Sequence, residues 1–321
     1  MGRHKLITQS ALIRRIGVEA ADIRSIELVG ADGTPLRPFD AGAHIDVYLG
    51  ELIRQYSLIN TTDTDGSYRI AIKLEQNSRG GSRSMHALAE RNVLKIGLPR
   101  NNFALHPEAA HSVLLAGGIG ITPLLGMAYR LLACDKSLSF DYFARSSDPV
   151  AFGEEIRSTA LAPRTRFHLG LTAEAVRRAL ATRLDTVPAD SHVYTCGPAP
   201  FMQAVREAAA TKPGLVLHLE YFVAEPPTQD LAAGSFRLKL AKSGTTIRVD
   251  ANQTIVEALR AAGIEVETSC EQGVCGTCLT PVLGGRPDHR DIVLTEEERK
   301  AGDRMLLCVS RSLDAELVLD L

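Results

Sequence analysis

The order of polar and apolar positions divides the chain into three parts, and the first part reads as short strands. Residues 44–49 and 68–74 alternate polar and apolar side chains, which is typical of half-buried strands. Residues 11–20 and 23–30 are rich in β-compatible side chains, and turn residues separate these segments. Many short strands with little helix predict a small, closed antiparallel β-barrel.

After His111 the pattern changes to buried strands that alternate with helices. Residues 113–116 form a short apolar run of the kind found in buried parallel strands. A glycine loop at 117–123 and a helix to about residue 133 follow, and Pro123 suits a first helical position. The alternation continues with strands at 138–144, 166–169, 192–195 and 216–220 and helices near 152–160, 172–182 and 199–210. This order predicts a parallel sheet with helices on both faces, in which ligands bind at the carboxyl ends of strands.

The last third begins after residues 224–234, which lack periodicity and read as a linker. A hairpin at 236–249, a helix at 254–262, a strand at 279–283 and a helical turn at 296–300 then predict a sheet crossed by one helix, the β-grasp arrangement. We therefore expect a multidomain α/β and α+β protein: an antiparallel β-barrel at 1–105, a parallel-sheet α/β domain at 106–224, a linker at 225–234 and a β-grasp domain at 235–321.

Composition narrows the class of protein. The 321 residues are 45% hydrophobic and 23% charged, which is ordinary for globular chains, and the formal net charge of −2 argues against a nucleic-acid surface. No apolar run approaches the roughly 18 residues of a membrane span, and no signal sequence follows Met1. We expect a cytoplasmic protein that binds neither membrane nor nucleic acid.

Cys270, Cys275, Cys278 and the distal Cys308 carry the strongest chemical signal. Their pattern, C-x4-C-x2-C…C, is the one that a plant-type [2Fe–2S] cluster requires. Glycines at 273 and 276 would let the loop fold around such a core. Structural zinc prefers two close pairs of ligands, and disulfides need an oxidising compartment, so both alternatives fit the spacing poorly.

Two stretches of the barrel suggest a phosphorylated aromatic cofactor. Arg54, Tyr56 and Ser57 offer a phosphate fork, a flat ring and a hydroxyl, although on these residues alone an ordinary exposed strand is the better explanation. Residues 78–82, which include Gly80, Gly81 and Ser82, read as a glycine turn and serine cap that open a helix to about residue 90, a possible anion site.

The glycine loop of the middle third reads G-x-G-x-x-P at Gly118 and Gly120, with Thr122 as a possible phosphate ligand. Cys196 and Gly197 end the strand at 192–195 and should lie at the same sheet edge. Cys196 is either a small buried residue or a neighbour of bound nicotinamide. Arg145 follows the strand expected beside the adenine ribose, so these residues leave NADH and NADPH open.

Over nearly its whole length the chain resembles the phthalate dioxygenase reductase family. The matching motifs are Arg54-x-Tyr56-Ser57-Leu58, residues 79–82, residues 117–123, Cys196-Gly197-Pro198, the four cysteines and His289-Arg290-Asp291. The resemblance implies FMN held by its phosphate near Arg54, Gly81 and Ser82, with Tyr56 beside the ring and Ser57 near N5. It also implies NADH over residues 118–122 and 196–198, and Phe222 as the aromatic cover of the flavin. The family commonly has Arg where this chain has Tyr221.

The resemblance further implies a reductase that passes electrons from NADH through FMN and the cluster to a terminal Rieske-type oxygenase or demethylase. Two alternatives stay open on the residues alone: a ferredoxin-like carrier that does not oxidise NADH, and a flavin reductase that releases reduced flavin. The aromatic substrate would be handled by the partner, and neither its identity nor the oligomeric state is written in this chain.

Overall fold

A computed structural model describes residues 7–50, 52–60, 66–76, 80–145, 150–222, 234–268 and 270–321. The chain divides into two compact units, Met1–Tyr221 and Phe222–Leu321. Most of the linker predicted at 225–234 lies outside the described residues. Within the described ranges, no helix is both long enough and apolar enough to cross a membrane.

The first part of the first unit is a six-stranded antiparallel sheet in the order β4-β3-β6-β1-β2-β5. Its strands are β1 (Thr8–Ala20), β2 (Ile23–Gly30), β3 (His44–Leu49), β4 (Leu52–Ser57), β5 (Tyr68–Lys73) and β6 (Val93–Gly97). The two end strands, β4 and β5, lie close together, so that the sheet curls around one apolar core. In β3, Ile45 and Val47 point into this core as the alternation predicts, but His44 and Asp46 on the other face are buried as well, so the half-buried strand expected at residues 44–49 was wrong.

One short helix, α1 (Gly81–His86), follows β5. It is shorter than the sequence suggests, because the ring of His86 is tied to the carbonyl of Ile72 at 3.0 Å and the chain then turns toward β6. Its N-cap is Gly80 at φ 103°, with no side-chain cap, so the serine cap expected from the sequence was wrong. Ser82 instead accepts a hydrogen bond from the Glu75 N–H at 3.2 Å.

The second part of the first unit is a parallel five-stranded sheet in the order β11-β10-β7-β8-β9, as predicted. Its elements are β7 (Ser112–Gly117), α2 (Ile121–Ala133), β8 (Leu138–Ala144), α3 (Gly153–Arg157), β9 (Thr165–Leu169), α4 (Ala173–Asp185), β10 (His192–Cys196), α5 (Ala199–Ala210) and β11 (Val216–Glu220). Helix α2 begins two residues before Pro123. Proline is tolerated there because the N–H groups of the first turn have no intrahelical acceptor.

The barrel and the parallel sheet pack directly on each other inside the first unit. Gly126 of α2 lies so close to the chain after β4 that a Cβ would sit 3.0 Å from the Leu58 carbonyl oxygen. Arg69 of β5 donates to Glu155 of α3 at 2.8 Å and to Glu19 of β1 at 3.0 Å. The Gly126 contact holds the end of β4 against α2, where the two halves of the candidate site meet, and the Arg69 bond to Glu155 ties β5 to α3.

The second unit is a five-stranded sheet in the order β13-β12-β18-β14-β16, with a separate two-stranded pair, β15-β17. Its elements are β12 (Phe236–Leu240), β13 (Thr246–Val249), α6 (Ile255–Ala261), β14 (Leu279–Gly284), β15 (Pro287–Asp288), α7 (Glu296–Ala301), β16 (Arg304–Leu306), β17 (Arg311–Ser312) and β18 (Glu316–Leu319). Strands β12 and β18 are parallel and buried against α6. Thr254 and Glu257 form a reciprocal capping box that begins α6. This arrangement is the β-grasp fold predicted from the sequence.

Candidate functional site

The four cysteines of the predicted cluster meet in one pocket of the second unit. Cys270, Cys278 and Cys308 are at most 5% exposed and Cys275 is half-buried. Their sulfurs are within hydrogen-bonding reach of one another in the pairs Cys270–Cys275, Cys270–Cys308 and Cys278–Cys308. Cys308 reaches the loop because the chain after β16 returns beside β14, which pairs with β16.

The loop from residue 270 to residue 278, here called the cluster loop, carries donors for negatively charged sulfur. Gly273 and Gly276 have φ angles of 74° and 77°, which confirms that this path needs the left-handed region. The Gln272 N–H donates to Cys270 Sγ at 3.3 Å. The pKa of the Cys270 thiol is lowered, first by Cys275 and Cys308 and then by the N–H groups of Val274 and Gln272.

This pocket fits a [2Fe–2S] core better than a single ion. Four thiols line it and backbone N–H groups point at sulfur, which is the environment that stabilises an anionic cluster. Three of the sulfurs come from one loop and the fourth from the segment after β16, which suits a [2Fe–2S] core better than the two close pairs of ligands that structural zinc prefers.

In the barrel, β4 carries the predicted flavin residues on its two faces. Tyr56 packs against the barrel core, and burial raises the pKa of its hydroxyl to about 12 although Arg54 opposes the shift. Arg54 runs along the start of α1: a Cβ on Gly81 would sit 2.6 Å from Arg54 Nε. Only glycine leaves this space, so the structure brings Arg54, Gly80 and Gly81 together. Ser78 and Arg79 lie outside the described residues.

Ser57, on the opposite face, meets Glu220 of the parallel sheet, which is level with Cys196. Cys196 and Glu220 are partners in neighbouring strands, and the Ser57 hydroxyl hydrogen-bonds the Glu220 carboxyl. Burial raises the pKa of Glu220 to about 8 despite this bond. Burial, and then the Glu220 charge, raise the pKa of the fully buried Cys196 thiol. Both groups are therefore protonated at neutral pH.

Glu220 was missed as a site residue by sequence reasoning. Its Oε2 is shielded from solvent and finds no hydrogen-bond partner among the described residues. A glutamate at the end of a half-buried parallel strand, level with Cys196, is the signal that could have pointed to it.

The predicted dinucleotide loops lie at one edge of the parallel sheet, because Cys196 is level with Ala116. A Cβ on Gly120 would sit 2.2 Å from the Cys196 carbonyl oxygen, and one on Gly197 would sit 3.0 Å from Gly117 Cα. Glycine is thus required for the two loops to touch. Gly118 has φ 56° and opens a 3-10 turn ahead of α2.

Three other sequence candidates have definite places. Thr122 is 3% exposed and its hydroxyl donates to the Ile119 carbonyl at 3.1 Å, so the hydroxyl proton serves the loop. Arg145 is exposed at the end of β8. Tyr221 packs beside α5 under the Arg206 guanidinium, 5.7 Å from the ring centre. Phe222 is the first residue of the second unit, and its predicted role stays a prediction.

Known proteins that resemble this chain in sequence are consistent with this site. Residues 238–313 match a domain family described as a 2Fe-2S iron-sulfur cluster binding domain. The vanillate O-demethylase oxidoreductase of Acinetobacter baylyi is 41% identical over 320 residues, covering 98% of this chain and 100% of that protein. The phenoxybenzoate dioxygenase subunit beta of Ectopseudomonas oleovorans is 42% identical, covering 97% of both chains.

Solved structures agree with the sequence relatives. The solved structure of phthalate dioxygenase reductase superposes with a TM-score of 0.79 at 37% identity, covering 98% of both chains. An intact self-sufficient cytochrome P450 monooxygenase matches with the same TM-score at 38% identity, covering 98% of this chain but 41% of that one.

Fold, site and relatives define an NADH-dependent iron–sulfur flavoprotein reductase with FMN and a [2Fe–2S] cluster as cofactors. It passes electrons from NADH through FMN and the cluster to an oxygenase component. The chain belongs to the phthalate dioxygenase reductase family.

Proposed function

We propose that the oxygenase served by this chain is a separate Rieske-type oxygenase or demethylase. The observation that carries the proposal is the end-to-end match with proteins named as the oxidoreductase of vanillate O-demethylase and as a dioxygenase subunit. A Rieske centre at about −150 to +300 mV lies above a plant-type cluster near −400 mV, so this last electron transfer is downhill.

In the barrel, Arg54 and the backbone of Gly80 and Gly81 hold the FMN phosphate. The fit rests on the contact between Gly81 and the Arg54 side chain, which aims the guanidinium at the start of α1. Tyr56 lies beside the ring. Ser82, whose hydroxyl is bonded to Glu75, contributes through its backbone N–H.

At the junction with the parallel sheet, Ser57 lies near flavin N5 and Cys196 near the nicotinamide. FMN, when bound, accepts a hydride from NADH and gives up electrons one at a time. Glu220 holds a proton at neutral pH, and its bond to Ser57 places that proton one hydroxyl away from the flavin position. The buried Cys196 thiol stays neutral and excludes water from the place where the nicotinamide lies next to the flavin.

The nicotinamide cofactor lies across Gly118, Gly120 and Gly197. The backbone of the 3-10 turn and the start of α2 offer free N–H groups to the pyrophosphate. Thr122 keeps that turn in shape through its bond to Ile119, and Phe222 covers the flavin. None of the six cysteines, all of which lie among the described residues, forms a disulfide, which suits a reducing cytoplasm.

The test uses the purified full-length chain with NADH and two acceptors, a Rieske oxygenase that demethylates or dihydroxylates an aromatic acid and a bacterial cytochrome P450. We expect NADH to reduce the Rieske centre through this chain within seconds and the P450 haem at least tenfold more slowly. Reduction of cytochrome c without reduction of the Rieske protein, or faster reduction of the P450, would overturn the choice of partner. Loss of NADH oxidation altogether would leave the ferredoxin-like carrier as the function.

A further inference from the structure

The motif His289-Arg290-Asp291 lies outside the four cysteines and has no part in the function described so far. Asp291 is 3% exposed. Its Oδ2 accepts hydrogen bonds from the N–H groups of Val293 at 3.0 Å and Leu294 at 2.8 Å. The guanidinium of Arg299, on α7, donates to the Asp291 carbonyl. Together these bonds fix residues 291–294 as a rigid turn, here called the Asp291 turn.

The Asp291 turn touches the cluster loop at two glycines. The Ile292 N–H donates to the Gly273 carbonyl at 3.1 Å. The Val293 side chain covers Gly276, where an ideal Cβ would sit 3.6 Å from Val293 Cγ1. The turn is thus in contact with both glycines at which the loop has positive φ angles.

The first of these contacts bears on a cysteine through the geometry of one peptide bond. In a trans peptide the C=O and the following N–H point in opposite directions. The carbonyl of Gly273 points at Ile292, so the N–H of the same peptide, which belongs to Val274, points the other way. That N–H faces Cys270 and is one of the groups that lower the pKa of the Cys270 thiol. One rigid peptide therefore contacts the Asp291 turn through its carbonyl and faces a cysteine sulfur with its N–H.

We propose that Asp291 is a positioning residue for the [2Fe–2S] cluster: by shaping the Asp291 turn, it orients the Gly273–Val274 peptide so that the Val274 N–H donates to Cys270. Hydrogen bonds to cysteine sulfur stabilise the added negative charge of a reduced cluster and are one of the determinants of its potential. Asp291 acts indirectly: it shapes the turn that holds Ile292, and Ile292 in turn orients this peptide. In the contacts described above, Asp291 touches none of the four thiols.

The test is a potentiometric titration of the cluster in the full-length holoprotein, with the electron paramagnetic resonance spectrum of the reduced state. In D291A the freed turn lets the peptide rotate, and the equilibrium constant for reducing the cluster should fall by up to about tenfold, a shift of about 59 mV for one electron. The g values should shift as well. D291N keeps an oxygen acceptor at the same place and should restore most of the wild-type potential.

T295A is the matched control. Thr295 caps α7 immediately after the turn, accepting from the Glu298 N–H at 3.2 Å, and takes no part in the bonds to Gly273. This variant should lower the melting temperature and leave the potential and the spectrum unchanged.

Unchanged potential and g values in D291A, or equal shifts in D291A and T295A, would overturn the proposal. If D291A fails to hold iron, the same titration on D291S decides. Serine keeps an oxygen acceptor, but its side chain is shorter than that of aspartate or asparagine. The proposal therefore requires the cluster potential of D291S to lie below that of D291N. Equal potentials in D291S, D291N and the wild type would refute the proposal.

Discussion

Replacing Glu220 by glutamine should change how the stability of the first unit depends on pH. The pKa of this carboxyl is raised from 4.5 to about 8 by burial, so the folded protein binds its proton more tightly than the unfolded chain does. A raised carboxyl pKa means that stability is present below the unfolded pKa and is lost as the pH climbs toward the folded value. The window is therefore pH 4.5 to about 8.

The size of the effect follows from the shift. Each pKa unit corresponds to about 1.4 kcal/mol, so the 3.5 units between 4.5 and 8 set a ceiling of about 5 kcal/mol. Glutamine has nearly the same shape and does not titrate. Relative to wild type, E220Q should gain up to about 1.4 kcal/mol of stability for each pH unit inside the window. In a unit of this size that is about 3–6 °C in melting temperature per pH unit.

The assay is thermal unfolding from pH 5.5 to 8.5, followed by the fluorescence of FMN as it leaves the protein. The difference between E220Q and wild type isolates this carboxyl from half-buried histidines such as His218, whose lowered pKa gives the opposite slope. E207Q, at an exposed position on α5, is the control and should run parallel to wild type. A constant difference between E220Q and wild type across the range would refute the assignment of a buried, protonated Glu220.

Three further outcomes follow from the site and its supports. C308S should lose its iron and its NADH-dependent reduction of cytochrome c while NADH still bleaches the flavin, and persistence of cytochrome c reduction would contradict the cluster as outlet. G81A places a methyl group against the Arg54 side chain and should weaken FMN binding about tenfold, measured by fluorescence titration. The control is G234A, whose added methyl group would contact no other atom, and this variant should bind FMN normally. R69A removes the charged hydrogen bonds from Arg69 to Glu155 and Glu19 and should lower the stability of the first unit by about 2 kcal/mol, so that FMN is released at a lower temperature on heating. An unchanged melting temperature would show that these bonds do not stabilise the contact between the barrel and the parallel sheet.

Much of the architecture could be predicted because it rests on local patterns. The alternation in β3 and the apolar run of β7 depend only on which faces are buried, and both elements are present where they were expected. Strand β18 escaped prediction although its residues alternate buried and half-buried. It has four residues, and its place in the centre of the sheet comes from pairing with β12, about eighty positions earlier. Long-range pairing of that kind leaves no local signal.

The candidate site was predictable where chemistry depends on residue type and spacing, as for the four cysteines, and less so where it depends on register. Glu220 is an ordinary glutamate until the parallel sheet sets it level with Cys196 and the barrel brings Ser57 to it. Only then does burial make its proton significant.

Asp291 also shows what sequence leaves out. The motif around it could be recognised from the sequence, but its role could not. Any buried aspartate can close a turn on two N–H groups. What gives this turn a consequence is the next residue, because the Ile292 N–H meets the Gly273 carbonyl, and a planar peptide carries that contact through to Cys270. The cysteine spacing predicts which metal centre is bound. The hydrogen bonds that adjust that centre come from a segment whose own sequence contains no ligand, and they become visible only once the fold has placed it against the loop.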